Sequence, residues 1–379
     1  MGVVRTFTAL ALASAAAALG MCCNKSSPPS TVGEIPPKPD AAPTTNATTT
    51  TFAIDAIFLG DVDPLTDTPS TAAWRSLGFN LDGLITSETS TDVCMLQPDT
   101  GLANQADGVN GIDNAFGASL VPILQTALLM QSLSDDQTKQ IRAGAWTVEL
   151  TVTGLSSDPL QSAVGLGTQA FIGEMLDAAP SFDTPTNWPV LPSSLADGVS
   201  IDGGARTKFS NVYVTHGTLV AEGALQPLMI PLQFHLLGGF GPDAAPPTIF
   251  FLPLRIHGAT IVFEQAASRG IIGGVLDPSE VIGAFLAFAR SVSPSLCGSA
   301  TDGIVHQLMQ LNDILPDGTN TAGKPCNGIS IGLGFTAKRI ANPAQLGVDR
   351  NPLPDQCDAA MDAPDDALDA GIADASDAD

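Results

Sequence analysis

The chain is poor in positive charge. It carries 15 Lys and Arg against 39 Asp and Glu, a formal net charge of −24 over 379 residues. Nucleic acid is excluded as a partner on that ground, because phosphate binding runs on clustered Lys and Arg. Aromatic side chains are also few, 5% of the chain with three Trp and one Tyr, which leaves little flat surface for stacking on sugars. Beyond the first 21 residues no run reaches the roughly 18 uninterrupted apolar residues that a membrane-spanning helix needs. The most apolar stretch, 219–240, is broken by Glu222, Pro227 and Pro231, and 249–263 by Pro253, Arg255 and His257. The cysteines form no C-x-x-C pair, so a zinc ribbon or a thioredoxin-type site has no basis.

What is present begins with an address. Residues 1–21 place one basic residue, Arg5, ahead of an apolar stretch too short to span a bilayer, and read as a secretory signal. It ends in Leu19-Gly20-Met21-Cys22-Cys23, which resembles the acylation signal of bacterial lipoproteins, with Met21 where a small residue is usual. Cys22 is the expected lipidation site, and a lipid anchor would make a membrane the partner. Processing after Ala18, with Ala16 and Ala18 as the small pair, is the alternative. Residues 22–51 are rich in Pro, Ser, Ala and Thr and read as a disordered tether. At the other end, 358–379 hold eight Asp and no basic residue, the composition of a solvated tail.

Four further cysteines, Cys94, Cys297, Cys326 and Cys357, make an even set, which in an exported chain predicts two disulfides. The shortest loop pairs Cys297 with Cys326 and so Cys94 with Cys357. Between tether and tail the pattern predicts an α+β fold, mainly an antiparallel β-rich body over 131–357, built as a sandwich or bent sheet with a few helices. In Trp146–Thr153 the apolar Trp146, Val148, Leu150 and Val152 alternate with Thr147, Glu149, Thr151 and Thr153. A hairpin is expected from 228–236 and 249–263, and further strands at 209–222 and 329–340. Helices are expected at 119–132, at 302–313, and after Asp277-Pro278-Ser279-Glu280, which supplies a cap, a Pro at the first helical position and a capping-box Glu. Residues 52–130, rich in Asp, Asn and Gly, read as an N-terminal subdomain packed on that body.

Several residue patterns carry candidate chemistry. Asn80-Leu81-Asp82-Gly83-Leu84-Ile85 matches the middle of an EF-type calcium loop, although Gly78 and Thr89 stand where its first and twelfth ligands belong. Asp61, Asp63, Asp107 and Asp113 form the pool from which further ligands would come, and Ca²⁺ is the expected cation; ordinary Asx turns account for each stretch taken alone. Gly328-Ile329-Ser330-Ile331-Gly332 has the G-x-S-x-G form of a hydrolase elbow, but strand alternation runs through the Ser and no His follows it, so that reading is rejected. Glu149, Glu222 and Glu264 sit on expected strands and would have to converge to hydrolyse a glycoside; as polar residues of amphipathic strands they are expected to face solvent instead. Gln233 with His235, and Arg255 with His257, would form one polar patch if the two hairpin faces coincide.

As a whole the chain resembles the large uncharacterised envelope lipoproteins of Gram-negative bacteria. That resemblance rests on the acylation-like Leu19–Cys23 segment, the Thr/Pro tether and the paired cysteines. It implies a place, the outer membrane or cell surface, and not an activity. The expected role is structural or adhesive and non-enzymatic; a hydrolase working through strand carboxylates and a small-ligand binding protein are the alternatives.

Overall fold

Alternating apolar side chains build a set of antiparallel strands in the computed structural model, which describes residues 32–96, 103–183, 186–236, 248–292, 297–349 and 357. In chain order the strands are β1 (Thr49–Phe58), β2 (Val62–Asp63), β3 (Thr68–Pro69), β4 (Thr147–Thr153), β5 (Ala163–Val164), β6 (Gly167–Gly173), β7 (Thr207–Thr215), β8 (Thr218–Ala224), β9 (Leu228–Leu236), β10 (Thr248–Glu264), β11 (Arg269–Leu276) and β12 (Ile329–Ile340). The helices are α1 (Val121–Ala127), entered through a π turn over Phe116–Leu120, then α2 (Leu133–Arg142), α3 (Pro278–Val292) and α4 (Asp302–Met309). The body is mainly antiparallel β with a few helices, as expected.

Its closure was not expected. The main strands pair in the order β1, β4, β6, β7, β8, β10, β11, β12, and β12 returns to β1, every pairing antiparallel. A ladder that closes in this way is an up-and-down barrel, not a sandwich, and it leaves fewer edges to protect. β10 makes the closure: its first half pairs with β9, and from Ile256 on, through an irregularity between His257 and Thr260, it pairs with β11, joined on its other edge by β8 from Ile261. Inward side chains fill the barrel. Phe52 meets Phe263 edge to face at 5.0 Å between ring centres, and Phe263 stacks on Phe335 at 5.7 Å, within a cluster that includes Val148, Leu150, Ile230, Leu254, Ile331 and Leu333. Cross-strand hydroxyl pairs, Thr49 with Thr153 and Thr51 with Thr151, lock the register of β1 on β4.

The barrel splits where β1 runs past β4, and α2 fills the split. Thr138 accepts the amide and donates to the carbonyl of Ile57 on β1, and Ser134 accepts the amide of Leu59 just past that strand. On the other side the Gln137 side chain takes the place of a neighbouring strand, donating to the Gln233 carbonyl and accepting from the Gln233 amide at 2.6 and 2.8 Å. The buried face of α2 mixes the polar Ser134 and Gln137 with Leu133 and Ile141, which interrupts the apolar periodicity, and α2 was not anticipated for that reason. The other helices follow expectation more closely. Asp277 accepts from the Ser279 amide ahead of α3, and α4 covers the first part of the expected 302–313.

Two boundaries change. β1 starts at Thr49, inside the stretch read as tether, and Pro36, Lys38, Thr44 and Asn46 are hydrogen-bonded to the barrel through Tyr213, Asn211, Gly154 and Leu155. Within residues 52–130, β1 is a barrel strand, the Phe116–Leu120 turn packs on β12, and α1 touches α2. Residues 1–21, with Cys22 and the acidic tail, lie outside the described residues.

Two disulfides form, as expected, but with the other pairing. Cys94 joins Cys326 and Cys297 joins Cys357, in place of Cys297 with Cys326 and Cys94 with Cys357. Short loops were the wrong criterion. Residues 94–96 lie parallel to 324–326 before β12, with Met95 N–H on the Lys324 carbonyl and Cys326 N–H on that of Met95. That backbone pairing brings together sulfurs that are 232 positions apart in the chain.

Candidate functional site

Three of the six candidate cation ligands meet outside the barrel wall. Asp82, Asp107 and Asp113 are gathered with Asp313, which sequence reading did not single out, from four separated turns. Asn320 ties the group together. Its amide donates to Asp82 at 3.0 Å and to the Asp313 carbonyl at 3.3 Å, while its oxygen accepts the amide of the disulfide-bonded Cys94. Asp313 is held by β12, accepting from the Ser330 amide at 2.8 Å and from its hydroxyl at 2.5 Å. Asp113 is 3% exposed and accepts the Leu81 amide at 2.7 Å.

Crowding and burial decide the charge of this group. Burial pushes Asp113 up to about 9, reinforced by the charges of Asp82, Asp313 and Asp107. Burial likewise lifts Asp313 to about 7 against the pull of its two Ser330 hydrogen bonds, and Asp107 to about 6 against that of Thr86. At neutral pH Asp113 therefore keeps its proton and Asp313 sits near its midpoint while Asp107 is largely ionised, so the repulsion among them is relieved in part. Nothing but distance along the chain hid Asp313: its partners in the group lie some 200 residues earlier.

The remaining candidate ligands serve other ends. Asn80 accepts the Gly83 amide and donates to the Leu84 and Asn110 carbonyls, and the second Asp82 oxygen accepts the Leu84 amide, so both shape an Asx turn. Asp63 shapes the turn between β2 and β3 through the Leu65 amide. Asp61 caps α2, accepting from Ser132, Ser134, the Leu133 amide and Gln125. Among the described residues no three His, Cys, Asp or Glu side chains converge closely enough to hold a metal ion as they stand.

The strand carboxylates do not converge. Glu222 is paired with Asn211 and Glu264 with Arg269, and Glu149 lies alone. The expectation that Glu149 faces solvent is overturned. It is 0% exposed, with Ala53 and Phe171 as its ladder neighbours, and the segment around Trp188 and Val190 covers that face. Neither Glu149 oxygen has a hydrogen-bond partner, and burial holds its carboxyl well above the ordinary range. A raised carboxyl is what a general acid needs, but one sealed from solvent reaches no substrate. Ser330 is equally enclosed: it lies inside β12, donates to Asp313 and accepts the Ala115 amide, and so acts as a brace.

A second polar locus lies across the barrel. Arg255 and His257 both reach Glu280 at the start of α3, at 3.5 and 2.9 Å. Gln233 is buried on the other side of that hairpin's reach, beside α2, and the side chain of His235 lies outside the described residues. The expected patch therefore forms in part, with a carboxylate from α3 that the strands alone did not predict. Beside it a cleft of about 280 Å³ opens, walled by Arg206, Arg255, Glu280, Ser193, Phe171 and Met229 among others. Comparison of the chain with protein-family models, with curated proteins and with solved structures finds no match.

Proposed function

We propose that this chain is an exported, disulfide-stapled barrel of the cell envelope, anchored by lipid at Cys22, with a structural or adhesive role and no catalysis. The observation that carries the reading is the Cys94–Cys326 bridge together with Cys297–Cys357, since such bridges persist in oxidising compartments and are rare in reducing ones. A barrel packed with side chains supports a scaffold over a carrier of large ligands, and the failure of Glu149, Glu222 and Glu264 to converge, the first buried alone and the other two paired with Asn211 and Arg269, speaks against glycoside hydrolysis. Among the described residues no helix is long and apolar enough to cross a membrane, so attachment falls to the N-terminal anchor. Mass spectrometry of the mature N-terminus tests this: an acylated Cys22 is expected, and an unmodified peptide beginning at Leu19 would overturn it.

Calcium belongs to the proposal as the ion that replaces protons in the acidic group. Asp82, Asp107 and Asp113 would supply hard oxygens, and their side chains would have to turn toward one another to share a cation. Binding of this kind stabilises the native state by mass action, by about 2.7 kcal/mol at a hundredfold excess over the dissociation constant. Melts at matched ionic strength with calcium and with chelator should separate; coincident curves would remove calcium from the proposal.

A further inference from the structure

We infer that the cleft between Arg206 and Arg255 binds the carboxylate of a small organic monoanion, a role that goes beyond the scaffold reading. The cleft exists because the barrel ladder thins here. β6 and β7 share only the rungs Gln169 with Lys208 and Ala170 with Thr207, after which β6 leaves its neighbour and β9 passes beside it. The parted strands leave a recess of about 280 Å³, lined by Phe171, Ile172 and Leu228 together with the polar Ser193, Arg206 and Glu280.

Charge makes this recess unlike the rest of the molecule. With 39 acidic residues against 15 basic ones, an arginine has an abundance of partners, yet the Arg206 guanidinium makes no ion pair or side-chain hydrogen bond among the described residues. Its backbone is fixed, the amide donating to the Ser194 carbonyl at 2.8 Å, so the side chain is presented from a held position. Arg255 is only partly engaged. One of its nitrogens lies 3.5 Å from a Glu280 oxygen, and the other Glu280 oxygen is taken by His257 at 2.9 Å. Most of the Arg255 fork therefore remains to be used, and a planar guanidinium matches a carboxylate through two parallel hydrogen bonds.

The acids nearby set the ligand's charge. Glu280 lines the cleft, and Asp349 sits at its edge, accepting from the Ser193 hydroxyl at 2.6 Å and from its amide at 3.2 Å. Among the lining side chains two guanidiniums stand against Glu280, and Asp349 at the edge offsets part of the remaining positive charge, which suits a monoanion and penalises a dianion. A recess of about 280 Å³ has room for a short hydrocarbon or ring body behind the carboxylate.

The test uses three probes of one shape and different charge: benzoate, benzamide and benzamidine, titrated calorimetrically into the full chain. Benzoate should bind in the millimolar range or better, with benzamide and benzamidine weaker by about tenfold or more, a difference of about 1.4 kcal/mol. Arg206→Gln should weaken benzoate by a similar factor, whereas Arg269→Gln, whose partner Glu264 lies outside the cleft, should leave it unchanged. Arg206 is exposed, and an unaltered melt of the Arg206→Gln protein confirms that the fold is intact. Equal binding of benzoate and benzamide, no benzoate binding at millimolar concentration, indifference to Arg206→Gln, or sulfate binding more tightly than benzoate would each overturn the assignment.

Discussion

β12 has two faces, and they are held by different physics. Ile329, Ile331, Leu333 and Phe335 point into the barrel and are held by contact area, their neighbours being Phe263 and the other apolar residues of the core. Ser330, Gly332 and Gly334 point the other way, under the turns that carry Leu77, Asp113 and Asn114. There the packing is so close that a Cβ on Gly332 would lie 2.2 Å from the Leu77 carbonyl oxygen, and the layer is held by hydrogen bonds that leave no room for substitution. An apolar layer tolerates a change of shape at moderate cost, whereas a hydrogen-bonded layer fails when one partner is removed.

Asn114 gives the sharpest test of that contrast. Its amide donates to the carbonyls of Trp74, Leu77 and Gly332, and its oxygen accepts the amides of Gly117 and Gly332, in a site 2% exposed. Asn114→Ala strands backbone groups from three segments and should cost about 3–5 kcal/mol in denaturant unfolding. Leu333→Val, on the other face of the same strand, should cost about 1 kcal/mol. Equal losses would erase the distinction between the two layers.

Next in size is the bridge that ties the outer layer to β12. Replacing Cys94 and Cys326 together by Ser should lower stability by about 2–5 kcal/mol, since the closed loop is long. Hydrogen exchange would locate the damage: the 80–115 turns should lose protection first, with the barrel strands unchanged.

Acidity separates the two layers by a comparable amount. Asp107, Asp113 and Asp313 keep their protons to about 6, 9 and 7 in the folded chain, whereas in the unfolded chain they ionise near 4. Between those limits the folded state holds more protons, so stability is full below pH 4 to 5 for these groups and is lost as pH rises through their folded values. The exposed Asp183, Asp197 and Asp317 are lowered by local hydrogen bonds, and their opposite effect falls below that window. From pH 5 to pH 8 unfolding free energy should fall by about 2–4 kcal/mol, because each extra proton held by the folded chain costs about 1.4 kcal/mol for every pH step of one and local relaxation returns part of that cost. Asp113→Asn should flatten the profile, and a profile that rises over this range would refute the protonated group.

The two layers also differ in how far they could be read from the chain. Strict alternation at Trp146–Thr153, 228–236 and 329–340 placed β4, β9 and β12 within a residue or so, because burial of one face imposes a period of two. Closure could not be read in that way. It depends on the split pairing of β10 and on β11, whose Gly-rich Arg269–Leu276 carries little alternation. The acidic group was half legible: Asp82, Asp107 and Asp113 stand in a visibly Asp-rich stretch, while Asp313 joins them only through Ser330 and the fold. Local turn chemistry explained Asn80 and Asp63 correctly, and Asp61 was claimed by the end of a helix that its own polar face concealed.

The smallest effect concerns the one place where the two kinds of layer are mixed. Glu149 lies in a row of the β4 outer face where its ladder neighbours are Ala53 and Phe171, and it brings a carboxyl into apolar surroundings without a partner for either oxygen. Burying an unpaired polar group costs free energy even when it is neutral, and burying it charged costs more, which is why its carboxyl is held well above the ordinary range. Met has a similar length and no polar oxygen. Glu149→Met should therefore stabilise the chain by about 1–2 kcal/mol at pH 7. The sign of its pH dependence follows from the same raised value: near pH 4 both folded and unfolded chains carry the neutral acid and the gain is smallest, and it grows as pH rises and only the unfolded chain ionises. Paired melts of the two proteins at pH 5 and pH 8 measure that difference. A destabilised Met variant would mean that Glu149 is engaged by a donor on this face, and the outer layer at β4 would then belong with the hydrogen-bonded layer over β12.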